Sequence, residues 1–274
     1  MLADDTTCYR HHDRAAAVAC QRCERPICSQ CMTQAAVGFH CPECARAGAQ
    51  KVIPARTLMN KRSTTVTSVL IGLNIAAYLL QRATDSPAST WSFADWGFLY
   101  GPAVADGELW RIVASGFIHQ GLLHIGLNMY ALYLFGPPLE RLLGPVRFAL
   151  AYLAGLFGGA AAVLLFAFNQ PTVGASGAVL GLAGALAAVL WSRGIKITQT
   201  SLGGIFVINL ALPVLIGGIS FWGHLGGIVG GFAAGWLLSF LPGRYRQPMG
   251  TAMGATAALC AALFALAAVS GTFH

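Results

Sequence analysis

Apolar residues dominate the chain after residue 63 and collapse into seven runs long enough to cross a bilayer, whereas the first 63 residues never hold an apolar stretch of that length. A membrane-crossing helix needs about 20 mainly apolar residues. Seven segments meet that need to within a few residues: Thr65 to Gln81, His119 to Leu139, Phe148 to Asn169, Ala175 to Ser192, Leu202 to Gly218, Phe221 to Leu241 and Thr251 to Ser270. The pattern predicts an all-α polytopic membrane protein preceded by a small module of another kind.

Lysine and arginine orient these spans, because short loops rich in them stay on the cytoplasmic side. Several precede the first span; Arg141 and Arg147 follow the second, Arg193 and Lys196 the fourth, Arg244 and Arg246 the sixth. The loops after the third and fifth spans carry no charge. An N-in orientation satisfies every loop. The first outer loop, about Arg82 to Ile118, is the long one, with Trp91, Trp96, Trp110, Phe93, Phe98 and Tyr100 beside Asp85, Asp95 and Asp106. Long loops are usually functional, and aromatic residues favour the membrane interface.

Composition reinforces the division. The 274 residues are 56% hydrophobic and 10% charged, against about a quarter charged in a soluble domain. Of the 27 charged side chains, 14 lie in the first 63 residues. The opening "MLADDTTCYRHH" has no apolar stretch behind a basic start, so no cleavable signal peptide is expected and the N-terminus is expected in the cytoplasm.

Seven of the eight cysteines fall between Cys8 and Cys44. Cys20 with Cys23, Cys28 with Cys31 and Cys41 with Cys44 have the C-x2-C spacing, and Cys8 with His11 repeats it with an imidazole. Four such pairs supply eight ligands, enough for two closed tetrahedral zinc sites. A disulfide framework competes, but seven is odd and the expected compartment is reducing. The closeness of the pairs favours an interleaved scheme: Cys8, His11, Cys28 and Cys31 on one ion, Cys20, Cys23, Cys41 and Cys44 on the other. His12 and His40 are alternatives to His11 and Cys41. The spacing resembles B-box-type zinc fingers. Residues 1–45 are thus read as a zinc-binding module and 46–63, with Lys51, Arg56, Lys61 and Arg62, as a basic linker. Acidic residues offset the module's arginines, so a protein partner fits it better than nucleic acid.

Polar groups at membrane depth are costly and therefore functional candidates. His119, His124 and Asn128 open the second span, Ser176 the fourth in "VGASGAVLG", and His224 the sixth in "FWGHLGGIVGGF". These spans enter from the same face, so their polar residues share one depth. Each has a bland reading: Ser176 between Gly174 and Gly177 could serve helix packing, and a lone histidine or asparagine could be structural. Their coincidence in depth favours chemistry. Gly223, Gly227, Gly231 and Gly235 recur every fourth residue beside Gly177, Gly181 and Ala185, which lets two helices approach closely. A serine within reach of a histidine is the nucleophile and base of acyl transfer. No acid is available at that depth, since Asp85, Asp95, Asp106 and Glu108 lie in the first outer loop and Glu140 at the opposite end of the second span. A Ser-His dyad is expected, with His124 and Asn128 on one helical face able to donate to an oxyanion.

From about Val66 to Leu241 the chain resembles rhomboid intramembrane serine proteases, through "GASG", "GHLGG", "HxxxxHxxxN", Trp110-Arg111 in "ELWRIVASGFIH", and Glu140-Arg141 in "GPPLERLLG". The resemblance implies a rhomboid six-helix domain over residues 64–243 and an extra transmembrane helix over 244–274. It implies Ser176 as nucleophile, His224 as general base, and His124, Asn128 and the Ser176 amide as oxyanion stabilisers. Leu180 departs from members that place an aromatic residue there, which leaves the support of His224 open. No cofactor is expected for catalysis. The implied function is cleavage of transmembrane segments of other membrane proteins near their outer ends, in the plasma membrane. A catalytically inactive, client-binding relative is the alternative; a histidine-based proton-coupled transporter is disfavoured by the lack of intramembrane acids and internal repeats.

Overall fold

A computed structural model describes residues 6–35, 37–48, 64–85, 89–215 and 217–270. The chain divides into two compact units, Met1–Met59 and Asn60–His274, each described by itself. Most of the basic linker, including Lys51, Arg56, Lys61 and Arg62, lies outside the described residues.

The first unit holds two antiparallel hairpins of two-residue strands, β1 (Val18–Ala19) with β2 (Pro26–Ile27), and β3 (Thr33–Gln34) with β4 (Phe39–His40), followed by helix α1 (Pro42–Gly48). Such short strands carry few ladder bonds. The buried centre is cysteine rather than aliphatic: Cys8, Cys20, Cys28, Cys31 and Cys41 surround Ile27. The Tyr9 hydroxyl donates to the Glu43 carboxylate, tying the opening loop to α1.

The second unit is helical. Each of the seven apolar runs overlaps one helix: α2 (Thr65–Thr84), α6 (Leu122–Leu143), α7 (Pro145–Phe166), α8 (Ser176–Ser192), α9 (Leu202–Leu215), α10 (Phe221–Gly243) and α11 (Met249–Val269). Helices α2, α7, α10 and α11 are long and apolar enough to cross a membrane, and α8 and α9 are shorter apolar helices. This is a multi-pass membrane protein. Val214 and Leu215 are each more than three-quarters exposed, as side chains that face lipid would be.

The sequence places His119 at the head of the second span. The helix begins three residues later, at Leu122. His119 sits in the preceding turn, where the side-chain amide of Gln81 receives its N–H at 3.1 Å and donates to its carbonyl at 2.8 Å. A side chain thus replaces the pairing that helix would have given this buried backbone.

Glycines set the middle of the bundle. A Cβ on Gly227 or Gly231 of α10 would overlap the carbonyl oxygens of Gly177 or Gly181 on α8, and one on Gly235 would lie 2.5 Å from the Ala185 oxygen. The expected row is therefore a backbone-to-backbone contact. Helix α7 adds a face the sequence reading missed: a Cβ on Gly155 would meet Gly181 Cα at 2.9 Å, and one on Gly158 the Gly226 oxygen at 2.6 Å. We expect Gly231→Ala to destabilise the bundle by about 2 kcal/mol, the usual range for overpacking, and to lower activity as α8 and α10 part. Gly254→Ala on α11, where a Cβ would meet nothing within 4 Å, is the control in a thermal-unfolding assay in detergent.

At the end of α6 away from His124, buried Glu140 accepts from the N–H groups of Val66 and Thr67, both at 2.9 Å, and from the Thr67 hydroxyl at 2.7 Å. It satisfies donors left free at the start of α2, where the helix dipole also favours a negative charge.

The long first loop has structure of its own: α3 (Phe93–Gly97), α4 (Gly101–Ala105), α5 (Arg111–Ala114) and a 3-10 turn at Ser115–Phe117. Arg111 is its hub, with Nε 2.5 Å from Glu108, Nη1 bonded to the carbonyls of Asp95 and Phe98, and the guanidinium over the Phe98 ring. The loop is also strapped to the segment before α8. Leu99 and Thr172 exchange two backbone hydrogen bonds of 2.9 Å, and Gly174 N–H donates to Ser115 O at 2.9 Å. The entry to Ser176 is thereby fixed from outside the bundle.

Candidate functional site

Ser176 is the first residue of α8 and His224 lies in the first turn of α10. The glycine contacts bring those helix ends together, and Ser176 Oγ lies 3.0 Å from His224 Nε2. His224 Nδ1 lies 2.9 Å from the backbone oxygen of Asn209 on α9. A carbonyl only accepts, so Nδ1 carries the proton and Nε2 presents its lone pair to the serine hydroxyl. His224 is 5% exposed. Leu180, buried one turn below Ser176, is not an aromatic support; the Asn209 carbonyl orients the ring instead. Because that contribution comes from backbone, no side-chain pattern revealed it.

His124 is on the first turn of α6, and its Nδ1 accepts from the Gln120 N–H at 3.4 Å, which leaves the proton on Nε2. A Cβ at Gly174 would fall 2.7 Å from that Nε2 and 3.8 Å from Ser176 Oγ. Glycine here keeps open the space between the serine and the imidazole N–H, and its φ of +120° suits no other residue. Asn128, one turn further, donates to the His124 carbonyl at 3.1 Å and retains a second N–H. Ser176 N–H belongs to the first turn of α8, whose amides have no intrahelical partner and lie at the positive end of the helix dipole. Ser176, His224, His124 and Asn128 all line one cavity of about 710 Å³. Its wall also includes Leu122, Leu123 and Leu212, so a polar end meets an apolar flank. His119, buried beside His124 with ring centroids 5.1 Å apart, is not among the lining residues.

In the first unit the ligand atoms of Cys8, His11, Cys28 and Cys31 lie within 4.8 Å of one another, as do those of Cys20, Cys23, Cys41 and Cys44. This is the interleaved grouping, and His12 and His40 belong to neither cluster. None of the eight cysteines is in a disulfide. Tetrahedral Zn–S bonds of about 2.3 Å place sulfurs about 3.7 to 3.8 Å apart, and Cys23 and Cys41 Sγ are 3.7 Å apart. His11 Nδ1 is 3.4 Å from Cys28 Sγ and 3.3 Å from Cys31 Sγ. Both clusters could therefore hold zinc. Burial raises the Cys8 and Cys20 thiols, but backbone hydrogen bonds, chiefly from Arg10 and Cys41 respectively, outweigh it and bring each to about 6. Burial and the neighbouring Cys8 thiol push Cys31 up to about 11. A cysteine must lose its proton to bind a metal, which the backbone hydrogen bonds at Cys8 and Cys20 favour.

A bundle of apolar helices enclosing a serine bonded to a histidine, at the foot of one cavity, defines a helical membrane protein with the makings of a hydrolase site. Residues 106–241 match the Rhomboid domain. The chain is 34% identical over 173 residues to Rhomboid protease GluP of Bacillus subtilis (strain 168), covering 62% of this chain and 34% of GluP. It is 37% identical over 147 residues to YdcA of the same bacterium, covering 52% of this chain and 71% of YdcA. It is also 33% identical over 147 residues to Inactive RHOMBOID-like protein 8 of Arabidopsis thaliana, covering 52% of this chain and 41% of that one. This chain belongs to the rhomboid family. It spans about a third of GluP's length and less than half that of the plant relative.

Proposed function

We propose that the protein is an intramembrane serine endopeptidase that cleaves transmembrane segments of other membrane proteins near their outer ends. The observation that carries this is the 3.0 Å bond between Ser176 Oγ and His224 Nε2, with the ring held in the tautomer a base needs by the Asn209 carbonyl. Ser176 attacks the scissile carbonyl while His224 takes its proton. The oxyanion is met by the Ser176 amide, His124 Nε2–H and the free Asn128 N–H, donors of which each is worth about 2.7 to 4 kcal/mol in acyl transfer. The protonated His224 then gives its proton to the departing amine, and water, activated by the same base, releases the acyl group. Leu122, Leu123 and Leu212 along the cavity wall suit an apolar substrate helix that unwinds into it.

The basic loops support a cytoplasmic N-terminus and a site near the outer face, and the plasma membrane is proposed as the location. The cysteine clusters are read as two structural zinc sites of a module that binds a protein partner. Purified protein is expected to react covalently with a serine-directed fluorophosphonate, with mass spectrometry placing the adduct on Ser176. Labelling elsewhere, or equal labelling of Ser176→Ala, would sink the mechanism. The second reading, an inactive client-binding protein, draws on the relative that is named inactive. It would be the better one if Ser176 gave no adduct and the wild-type chain still retained membrane clients.

A further inference from the structure

Helix α9 contains a proline, Pro213, four residues after Asn209. In an α-helix the carbonyl of residue i accepts from the N–H of residue i+4. Pro213 has no N–H, and a proline ring also presses against the carbonyl one turn before it. The Asn209 carbonyl is therefore denied its ordinary helical donor, and a backbone oxygen without a donor inside an apolar membrane helix is costly. His224 Nδ1, 2.9 Å away, supplies one. The Asn209 side chain does not compete, since its amide donates to the Ile205 carbonyl at 2.9 Å.

We infer that Pro213 frees the Asn209 carbonyl to fix the tautomer and orientation of His224, which makes Pro213 and the Asn209 backbone positioning elements for the general base. The inference rests on the dyad reading above and adds to it. It assigns to α9 the supporting role that Leu180 on α8 cannot fill. It also explains a proline inside an apolar helix: in a membrane such a residue is tolerated where a neighbouring element satisfies the freed carbonyl, and here that neighbour is the catalytic imidazole.

The test uses full-length protein labelled with 15N-histidine, with the His224 signals identified by their loss in His224→Gln. Wild type is expected to hold the neutral His224 proton on Nδ1. In Pro213→Ala, which restores an N–H at position 213 and favours helix, a substantial share of the Nε2–H tautomer is expected. Fluorophosphonate labelling of Ser176 should then slow by about tenfold to a hundredfold, a part of the 10²- to 10⁴-fold that a general base typically contributes. A structural proline would leave the tautomer unchanged, so a wild-type nitrogen spectrum in Pro213→Ala overturns the inference. So does a wild-type His224 protonated on Nε2, a result that needs no variant to fold. Continued adduct formation in Ser176→Ala would instead overturn the dyad reading, whatever the tautomer.

Discussion

Replacing Ser176 with alanine is expected to reduce cleavage of a transmembrane substrate by roughly 10⁴-fold or more, His224→Ala by a similar factor, and the double variant by no more than either alone. Residues that act as one unit are strongly non-additive, since removing either abolishes the same step. The 3.0 Å bond between them and the absence of any acidic side chain among the described residues lining the cavity leave no third member to provide a residual route. Both variants should fold. Ser176 opens a helix whose packing depends on Gly177 and Gly181, and His224 lies one turn above the Gly227 contact. Single-turnover cleavage of a reconstituted substrate, with thermal unfolding alongside, checks this. Additive losses would show that the two side chains act separately.

Removing metal is expected to unfold residues 6–48 while leaving the helical unit intact. Structural zinc contributes about 10 to 16 kcal/mol in small modules, and whole domains are stable by only 5 to 15 kcal/mol. Strands of two residues around a cysteine centre have no other source of that energy. Elemental analysis should return two zinc ions per chain. Because the clusters alternate along the chain, Cys8→Ser is expected to loosen the Cys20 and Cys23 turn as well, so one substitution should lower occupancy by more than one ion. Cys260→Ser on α11 should change nothing. Hydrogen exchange on full-length protein, before and after a chelator, reads the outcome by segment. Exchange in residues 6–48 that a chelator did not accelerate would remove metal from their folding.

What the sequence revealed follows from which forces act locally. The seven runs are legible because a span must be apolar over its whole length. The row Gly223, Gly227, Gly231 and Gly235 is legible because helix–helix contact recurs at helical spacing. The Cys and His clusters are legible because C-x2-C is itself a local geometry. What stayed hidden depends on distant backbone. Asn209 supplies an oxygen that every residue owns. The third glycine face on α7, Gly155 and Gly158, only becomes a face once two partners are placed against it. The exchange between Leu99 and Thr172 joins two segments that carry no pattern in common. Glu140 reads by sequence as a charge at the far end of a span; its work on Val66 and Thr67 needs α2 beside it.

The glycine contacts have a consequence for the membrane itself. The cavity is lined by α8 only as far as Ala178 and by α10 only as far as His224; from Val179 to Val189, α8 is almost wholly buried. An enzyme that hydrolyses within a bilayer has to admit water without opening a conducting path for protons or ions. Backbones touching along Gly181, Gly227 and Gly231 leave no gap between α8 and α10 for a file of water below the serine, so on the proposed function this seam would act as an electrical insulator. Substitutions that pry this floor apart would then be expected to cost the cell its ion gradients as well as the proposed activity.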